Sequence, residues 1–334
     1  MISNQRQSNI ELCRIVSIIL VMILHSTFNA IAREANEPSF PIYYISALSV
    51  IGVNVFVLIT GYFSVTPKIT SLFNMAFICF FWMLLKIFGM MCFGDRINFQ
   101  QLDYQRFYFI TDSNWFIPCY IGLMFMSPIL NAFCSIANKR QLLGGALSLV
   151  IVQVWFDLLP PYPNLRLGSH EGYSFFSFGV IYLIGRAIRL YGLPRWLSKY
   201  SLFLYLVGSL LTALLTFKIN ALNIIFAYNS PLVIFSAISF FAFFLKKKLD
   251  SNIINYLAKS TLAALLGHMA FTRVYKEQFR YLYYNYSGIE LVILWIFSLL
   301  FAYSVCVAID QLRLLLWKPI NSRLISRIKN NNIF

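Results

Sequence analysis

The sequence predicts an all-α, polytopic membrane protein with about ten transmembrane helices and both termini in the cytoplasm. Of its 334 residues, 59% are hydrophobic and only 12% are charged, whereas soluble domains contain about 25% charged residues. Long apolar runs alternate with short polar connections, and about 20 apolar residues are enough for a helix to cross the bilayer. Because no long polar segment interrupts this pattern, we expect one transmembrane domain over residues 1–334.

Proline and turn signals separate ten apolar segments along the chain. The predicted spans are residues 9–30, 42–63, 70–93, 115–136, 142–159, 173–190, 200–217, 223–245, 258–278 and 289–316. Lys and Arg test this arrangement, because they are enriched on the cytoplasmic side of membrane proteins. With the N-terminus inside, 18 of the 27 basic residues lie on the cytoplasmic side, eight lie outside, and Lys86 lies within the third segment. Topology thus explains the net charge of +15, and no basic groove interleaved with aromatic residues suggests nucleic-acid binding.

The first segment, residues 9–30, carries three ionisable side chains inside an apolar run. Such groups are costly within a bilayer and are candidates for function by default. Arg14 and His25 are eleven residues apart, so a helix places them on one face and about 16 Å apart along its axis. Glu11, three residues before Arg14, joins that face. The run is too long and too charged for a secretory signal peptide.

Other polar positions allow both a structural and a functional interpretation. His268, in the ninth segment, needs a partner within the protein, because lipid offers none. His170 lies in a predicted outer loop, where water can satisfy its hydrogen bonds, so it needs no partner within the protein. Asn54 is suited to an interhelical hydrogen bond and Lys86 to pairing with an acid or to snorkelling, while Trp115 is suited to anchoring at the membrane interface.

Several classes of enzyme are disfavoured by the motifs that the sequence lacks. The three histidines show no metal-ligand spacing, so we expect no metal site. The chain also lacks a G-x-S-x-G elbow, a P-loop and a dinucleotide-binding glycine motif. Classical hydrolase, kinase and dehydrogenase chemistry is therefore not expected.

Arg14, followed after ten residues by His25, resembles the Arg-x10-His signature in the first helix of acyltransferase family 3. Members of this family are bacterial membrane enzymes that modify surface polysaccharides and related carriers. Four later stretches resemble further helices of the family in the same order: GVNVFVLITGYF (52–63), NWFIPCYIGLMFMSPILN (114–131), FFSFGVIYLIGRAIR (175–189) and STLAALLGHMAF (260–271). The resemblance covers most of the chain. It is a resemblance to the stand-alone membrane form of the family, which has no SGNH-type esterase domain.

The resemblance implies an O-acyltransferase of the bacterial cytoplasmic (inner) membrane. The donor would be acyl-CoA, with acetyl-CoA as the usual co-substrate and no bound cofactor. The acceptor would be a hydroxyl of a surface polysaccharide, of the O-antigen or exopolysaccharide type, or of its lipid-linked precursor. His25 would be catalytic, either as a general base or as an acylated intermediate. Arg14 would be essential for donor binding or for structure, with Glu11 orienting it.

The same resemblance gives expectations for the two faces of the membrane. Lys68, Arg186 and Arg189 are further candidates for binding the anionic donor at the cytoplasmic face. The acceptor would approach from the outer side, near Trp115, Arg166 and His170.

Two other classes of protein also fit ten helices with buried charge. One is a transporter or flippase for a glycan or a lipid-linked precursor, and the other is a non-catalytic membrane scaffold. Against a transporter, the sequence shows no internal repeat and no matched pair of broken helices in two halves.

Overall fold

The computed structural model describes residues 6–32, 39–92, 115–158, 170–219 and 222–330, and the regular elements within these ranges are all helical. In chain order the α-helices are α1 (Ser8–Thr27), α2 (Phe40–Ser49), α3 (Gly52–Phe63), α4 (Ile69–Cys92), α5 (Phe116–Ile136), α6 (Lys139–Gln153), α7 (Phe175–Tyr191), α8 (Arg195–Lys199), α9 (Ser201–Ile219), α10 (Leu222–Ile225), α11 (Pro231–Leu245), α12 (Asn252–Leu257), α13 (Thr261–Ala270), α14 (Thr272–Asn285) and α15 (Gly288–Asn330). Single π-helical or 3-10 turns are found at Phe28–Ala32, Val154–Leu158, His170–Gly172 and Ala258–Ser260.

Within the described residues, seven helical stretches are long and apolar enough to cross a membrane. They are Ser8–Ala32, Phe40–Phe63, Ile69–Gly89, Phe116–Ile136, Lys139–Leu158, Ser201–Lys218 and Gly288–Arg323. The predicted all-α polytopic membrane fold is confirmed. The sixth, eighth and ninth predicted segments also contain helices, but these are shorter: α7 has 17 residues, α11 has 15 and α13 has 10.

The ninth predicted segment, residues 258–278, is not one continuous helix. α13 ends at Ala270, and α14 begins at Thr272. α14 buries Tyr275 on one side, while Arg273 and Glu277 form an exposed ion pair at 3.0 Å. Such a division between a buried face and a charged face is typical of a helix that lies along a surface. The expected ninth span therefore has to be shortened to end at Ala270.

Successive long helices run in opposite directions, so their termini gather at two ends of the bundle. At one end, Asn9 Nδ2 at the start of α1 donates to the Phe244 carbonyl at the end of α11, at 3.2 Å. At the other end, Arg280 Nε of α14 donates to the Ala30 carbonyl at 3.3 Å. We call the first the basic end, because it is the end predicted to face the cytoplasm, and the second the far end.

Glycines allow α3 to approach both of its main neighbours closely. A Cβ at Gly61 would collide with the Tyr182 carbonyl of α7, and a Cβ at Gly185 of α7 would collide with the Leu58 carbonyl of α3. At the other end of α3, a Cβ at Gly52 would lie 2.7 Å from the Ser17 carbonyl of α1. Small residues of this kind let helix backbones meet where lipid provides no hydrophobic drive for association. The packing of the bundle core therefore depends on direct backbone contact of α3 with α1 and with α7.

A buried ion pair within α15 is hydrogen-bonded to α4. Arg313 Nε donates to Asp310 Oδ1 at 2.5 Å, and Arg313 is 1% exposed while Asp310 is fully buried. Arg313 also donates to Asn74 Oδ1 of α4 at 3.3 Å. The sequence contained a signal for this pair, since an acid and a base three residues apart can meet on one helix face.

Replacing Gly61 with alanine is expected to destabilise the fold. The new methyl group must displace the backbone of α7, and overpacking of this kind costs about 1–3 kcal/mol. The midpoint of thermal unfolding in detergent should fall. Gly144→Ala in α6 is the matched control, because a Cβ there meets nothing within 4 Å. That variant should unfold at the same or a higher temperature, as expected from helix propensity; equal effects at both sites would contradict the close-packing argument.

Asp310→Ala should destabilise the bundle, because it leaves the Arg313 guanidinium buried without a counter-charge. Breaking a buried pair in this way costs about 3–5 kcal/mol, whereas apolar replacement of both partners is often neutral. The double variant Asp310→Ala/Arg313→Met should therefore recover most of the unfolding temperature that the single variant loses. A double variant as unstable as the single one would show that the pair has a role beyond compensating charge.

Candidate functional site

α1 and α13 bring two histidines into direct contact. His25 Nδ1 lies 2.8 Å from His268 Nε2, across a sequence separation of 243 residues. The ring centroids are 5.0 Å apart. His268 is only 3% exposed, and His25 is partly exposed. The partner that His268 needs inside the bundle is thus the histidine of the first helix.

The hydrogen bonds of this pair assign its protons when both rings are neutral. His268 Nδ1 lies 2.8 Å from the Ala264 carbonyl oxygen, which can only accept, so this nitrogen must carry a hydrogen. His268 Nε2 is then an acceptor, and His25 has to donate to it from Nδ1. His25 Nε2 is therefore left unprotonated. The pair therefore presents one basic nitrogen, His25 Nε2. Two consecutive hydrogen bonds hold the pair in place, one from His25 Nδ1 to His268 Nε2 and one from His268 Nδ1 to the Ala264 carbonyl.

Aromatic side chains of α14 and α15 hold the helix turn that carries His25. The Tyr275 ring meets the His268 ring edge-on at 5.7 Å, and its hydroxyl donates to the Met22 carbonyl at 2.8 Å. Trp295 Nε1 donates to Ser26 Oγ at 3.0 Å. Both α14 and α15 are thus tied to α1 within one turn of His25, which restricts where the imidazole can lie.

Arg14 borders a cavity of about 190 Å³ between α1, α3, α5 and α13. Thr60 and Tyr120 contribute hydroxyl groups to its wall, 3.4 Å apart. Leu265 also lines the cavity, and it lies about one helical turn before His268. The cavity therefore extends from the first-helix arginine toward the helix turn that carries the second histidine. The remaining lining residues are Phe56, Phe116, Thr261 and Leu262.

Glu11 holds Arg14 in place at the basic end. Arg14 Nη1 lies 3.2 Å and 3.3 Å from the two Glu11 carboxylate oxygens. Glu11 is buried, while the Arg14 side chain is 31% exposed. α1 is one uninterrupted helix past both ionisable positions, so Arg14 and His25 are separated by about 16 Å along its axis.

Two arginines lie on either side of an aromatic pair at the end of α3. The Arg14 guanidinium carbon lies 5.9 Å from the Phe63 ring centre. The Arg189 guanidinium carbon lies 5.0 Å from the Tyr62 ring centre, and its Nη1 donates to the Tyr62 hydroxyl at 3.0 Å. The two rings meet edge-on at 5.4 Å. We call these four residues the arginine–aromatic row. Tyr62 and Phe63 were not among the residues that the sequence singled out.

The other basic candidates do not join this row through a described contact. Lys68 is exposed in the connection before α4, where its carbonyl accepts hydrogen bonds from the first turn of that helix. Arg186 faces Cys134 between α7 and α5. Lys86 is half-buried within α4.

The remaining candidates lie at the far end of the bundle, or outside the described residues. Asn54 is buried and donates to the Tyr228 carbonyl at 2.8 Å; the acceptor lies in the turn before α11, so the bond joins α3 to a loop and not to another helix. Trp115 contacts other aromatic rings, and His170 is exposed in a 3-10 turn. Arg166 lies outside the residues that the structure describes. Within the described ranges, no group of three or more His, Cys, Asp or Glu side chains could hold a metal ion.

The chain was compared with curated proteins, with solved structures and with models of protein families. Searches of curated proteins and of solved structures gave no match. The model of the acyltransferase domain family Acyl_transf_3 matches residues 7–311, which is nearly the whole chain and includes α1 and α13. This multi-pass membrane protein therefore belongs to the Acyl_transf_3 family of acyltransferases.

Proposed function

We propose that this membrane acyltransferase moves an acyl group, most simply acetyl, from acyl-CoA to a hydroxyl group of a cell-surface polysaccharide or its lipid-linked precursor, in the inner membrane of a bacterium. The contact of 2.8 Å between His25 and His268 carries the proposal. It supplies the feature that acyl transfer to an alcohol requires, an oriented base inside a water-poor site.

In the proposed reaction His25 Nε2 acts as the base. It takes the proton of the acceptor hydroxyl while that oxygen attacks the thioester carbonyl carbon. The carbon–sulfur bond then breaks, and the thiolate of CoA leaves and receives the proton back from His25. The products are the acylated acceptor and CoA–SH, so the ring returns to its starting state.

His268 is proposed to position His25 and to accept its hydrogen bond throughout the cycle. When His25 becomes doubly protonated, its Nδ1–H still points at the His268 lone pair, which stabilises the developing positive charge. An orienting partner of this kind also fixes which nitrogen of the base is free. The same lone pair on Nε2 would serve an acyl-histidine intermediate, which would be seen as a label on His25 after incubation with acetyl-CoA alone.

Donor binding is proposed at the basic end. The phosphates of CoA are anionic, and guanidinium groups bind phosphate oxygens through paired hydrogen bonds. Arg14 and Arg189 offer two such groups, and Tyr62 and Phe63 offer aromatic faces between them. From Arg14 the cavity leads toward α13, and the rise of about 16 Å to His25 is comparable to the length of an extended pantetheine arm.

A transporter or flippase is the competing function. The family match is to an acyltransferase domain and gives a transporter no support. Transport would be recognised by movement of a glycan precursor without consumption of the thioester.

Removing either histidine should reduce turnover, but to different extents. With purified protein, labelled acetyl-CoA and glycan extract, His25→Ala should lower kcat by at least about 100-fold, the usual size of a lost general-base contribution. His268→Ala should lower kcat by about tenfold to 100-fold and leave the KM for acetyl-CoA unchanged. His268→Gln, which keeps a hydrogen-bond acceptor, should recover part of that loss.

Met269→Ala is the matched control for the histidine variants, because it shortens the next side chain of α13 without removing a ring nitrogen. It should stay within about threefold of wild type, as expected for a conservative change away from the reacting atoms. Full activity in His25→Ala would exclude the proposed base. A rise in the KM for acetyl-CoA in His268→Ala would show that His268 acts on donor binding instead.

Replacing Arg14 with glutamine should weaken donor binding. The loss of a charge-assisted contact costs about 1.5–3 kcal/mol, which corresponds to a rise in the KM for acetyl-CoA of about tenfold to 100-fold. Arg189→Gln should raise the same KM less, since Arg189 is exposed. Arg195→Gln removes an exposed charge from α8 at the same end and should change nothing. Equal effects of all three variants would indicate a general loss of positive charge, and no effect of Arg14→Gln would disprove donor docking there.

A further inference from the structure

Three aromatic rings meet at the far end of the bundle, where α5 and α7 begin. The Trp115 ring centre lies 4.4 Å from that of Tyr173 and 5.4 Å from that of Tyr228. Tyr173 and Tyr228 are 5.0 Å apart, so each ring touches the other two. Tyr228 is 7% exposed, whereas Tyr173 is 41% exposed. Tyr228 therefore forms the buried side of the cluster, and Tyr173 forms its accessible side.

The turn before Tyr173 is held in an unfavourable backbone conformation. His170, Glu171 and Gly172 have φ values of +45°, +58° and +92°. Glycine adopts such values freely, whereas a residue with a side chain adopts them only at an energetic cost. Strain of this kind persists only where the surrounding structure enforces it, and it is concentrated at functional sites. His170 and Glu171 are the two strained residues, and both lie beside the aromatic cluster.

Hydrogen bonds on both sides enforce this turn. The Glu171 backbone N–H donates to the Asp157 carboxylate, and its carbonyl accepts from the Tyr228 N–H at 2.9 Å. Gly172 is pressed against Tyr228, where a Cβ would come within 2.5 Å. The turn is thus hydrogen-bonded on one side to the π-helical turn Val154–Leu158, which follows α6, and on the other side to Tyr228 of the aromatic cluster.

A buried acceptor next to this turn has no partner among the described residues. Asn229 is 2% exposed, and its Nδ2 donates to Asp157 Oδ2 at 2.8 Å. A carboxylate accepts only, so this bond fixes the orientation of the amide and identifies the other atom as Oδ1. Asn229 Oδ1 is buried without a hydrogen bond. Unsatisfied buried acceptors are rare and call for an explanation, such as a water molecule or a ligand hydroxyl.

We propose that this far-end cluster is the subsite that holds a sugar ring of the acceptor. The pyranose would stack on the accessible side of Trp115 and Tyr173, as the apolar C–H face of a sugar does on aromatic rings. His170 and Glu171 would bind its hydroxyl groups, and Asn229 Oδ1 would accept from a hydroxyl or from a water beneath it. The inference rests on the proposed function, because it names where that reaction holds its acceptor.

The cluster is connected to the catalytic region from two directions. Phe116, the neighbour of Trp115 in the chain, lines the cavity that Arg14 borders. Phe226, two residues before Tyr228, stacks on Phe28 of the first segment with ring centres 5.0 Å apart. Phe28 lies one helical turn beyond His25. The cluster is thus joined through Phe116 to the cavity beside Arg14 and through Phe226 to the turn that follows His25.

An aromatic belt at the membrane interface is the simpler alternative. Belt residues anchor a protein through single, outward-facing rings. Here the rings contact one another, one of them is buried, and a strained polar turn accompanies them. These differences favour a binding site, and the two interpretations predict different kinetics.

The test uses full-length protein in detergent, labelled acetyl-CoA, and polysaccharide with lipid-linked glycan extracted from the source cells. Trp115→Ala and Tyr173→Ala should each raise the KM for the glycan extract by at least about tenfold, the size expected when one ring that stacks on a ligand is lost. Without glycan, slow transfer of the acetyl group to water, which gives acetate and CoA–SH, should remain dependent on His25 and unchanged in both variants. Trp115→Phe should recover part of the glycan KM. Trp196→Ala, an exposed tryptophan at the basic end, is the control and should leave both readouts unchanged.

Glu171→Gly removes the carboxylate without adding strain to the turn. Glycine suits the φ of +58°, so this variant should be as stable as wild type or more so. It should nonetheless raise the KM for glycan, because the carboxylate is lost. A stable Glu171→Gly protein with an unchanged glycan KM would overturn the role of the turn.

The outcomes separate this inference from the proposed function. An unchanged glycan KM in Trp115→Ala and Tyr173→Ala would overturn the subsite while leaving acetyl transfer intact. Label that the wild type transfers to lipid or protein instead of glycan would overturn the sugar assignment but not the histidine chemistry. If the wild type consumes no acetyl-CoA through His25, the proposed function itself fails.

Discussion

A polar group inside an apolar helix bundle has no water to bind, so it must find a partner within the protein. This constraint organises the interior of the structure. His268 meets His25, Arg14 meets Glu11, and Arg313 meets Asp310. Each of these contacts fixes a side chain that would otherwise be costly to bury. The histidine contact differs from the other two because it leaves one nitrogen of the pair without a proton. The same requirement that stabilises the bundle thereby prepares a base.

Close backbone contact makes this arrangement possible. α3 touches α1 at Gly52 and α7 at Gly61, so two of the four helices that line the cavity beside Arg14, α1 and α3, are held against each other by backbone contact. Such contacts yield less than contacts built from flexible side chains. The wall of the cavity that carries Arg14 is consequently part of the close-packed core of the bundle.

The sequence was sufficient to predict features that depend on a single helix. The shared face of Glu11, Arg14 and His25 follows from helical periodicity, and the structure keeps all three on one uninterrupted helix. The all-helical membrane class follows from composition, because too few charged residues are present to cover a water-soluble surface. Local spacing and composition are physical properties of the chain itself, so they require no knowledge of the fold.

Contacts between distant segments could not be predicted in this way. His268 was a candidate, but its contact with His25 spans 243 residues and depends on how the helices pack. The break at Phe271 was missed because the predicted ninth segment was carried past it into residues 272–278, although Arg273, Lys276 and Glu277 in that stretch are charged. Those charges fit a surface helix once Tyr275 is known to be buried on its other side. The far-end turn was missed for a related reason, since positive φ angles at His170 and Glu171 are imposed by Asp157 and Tyr228 from outside the turn.

The final helix, α15, is 43 residues long, which corresponds to about 65 Å, whereas the hydrocarbon core of a bilayer is about 30 Å thick. Even when the headgroup regions are included, a stretch of this rod stands clear of the membrane at the basic end. Pro319 lies within that part and removes one backbone hydrogen bond, which makes it the natural point for a bend. Any large molecule that approaches the basic end must therefore fit beside this projecting helix, and the proposed donor site is less accessible than the width of the bundle alone would suggest.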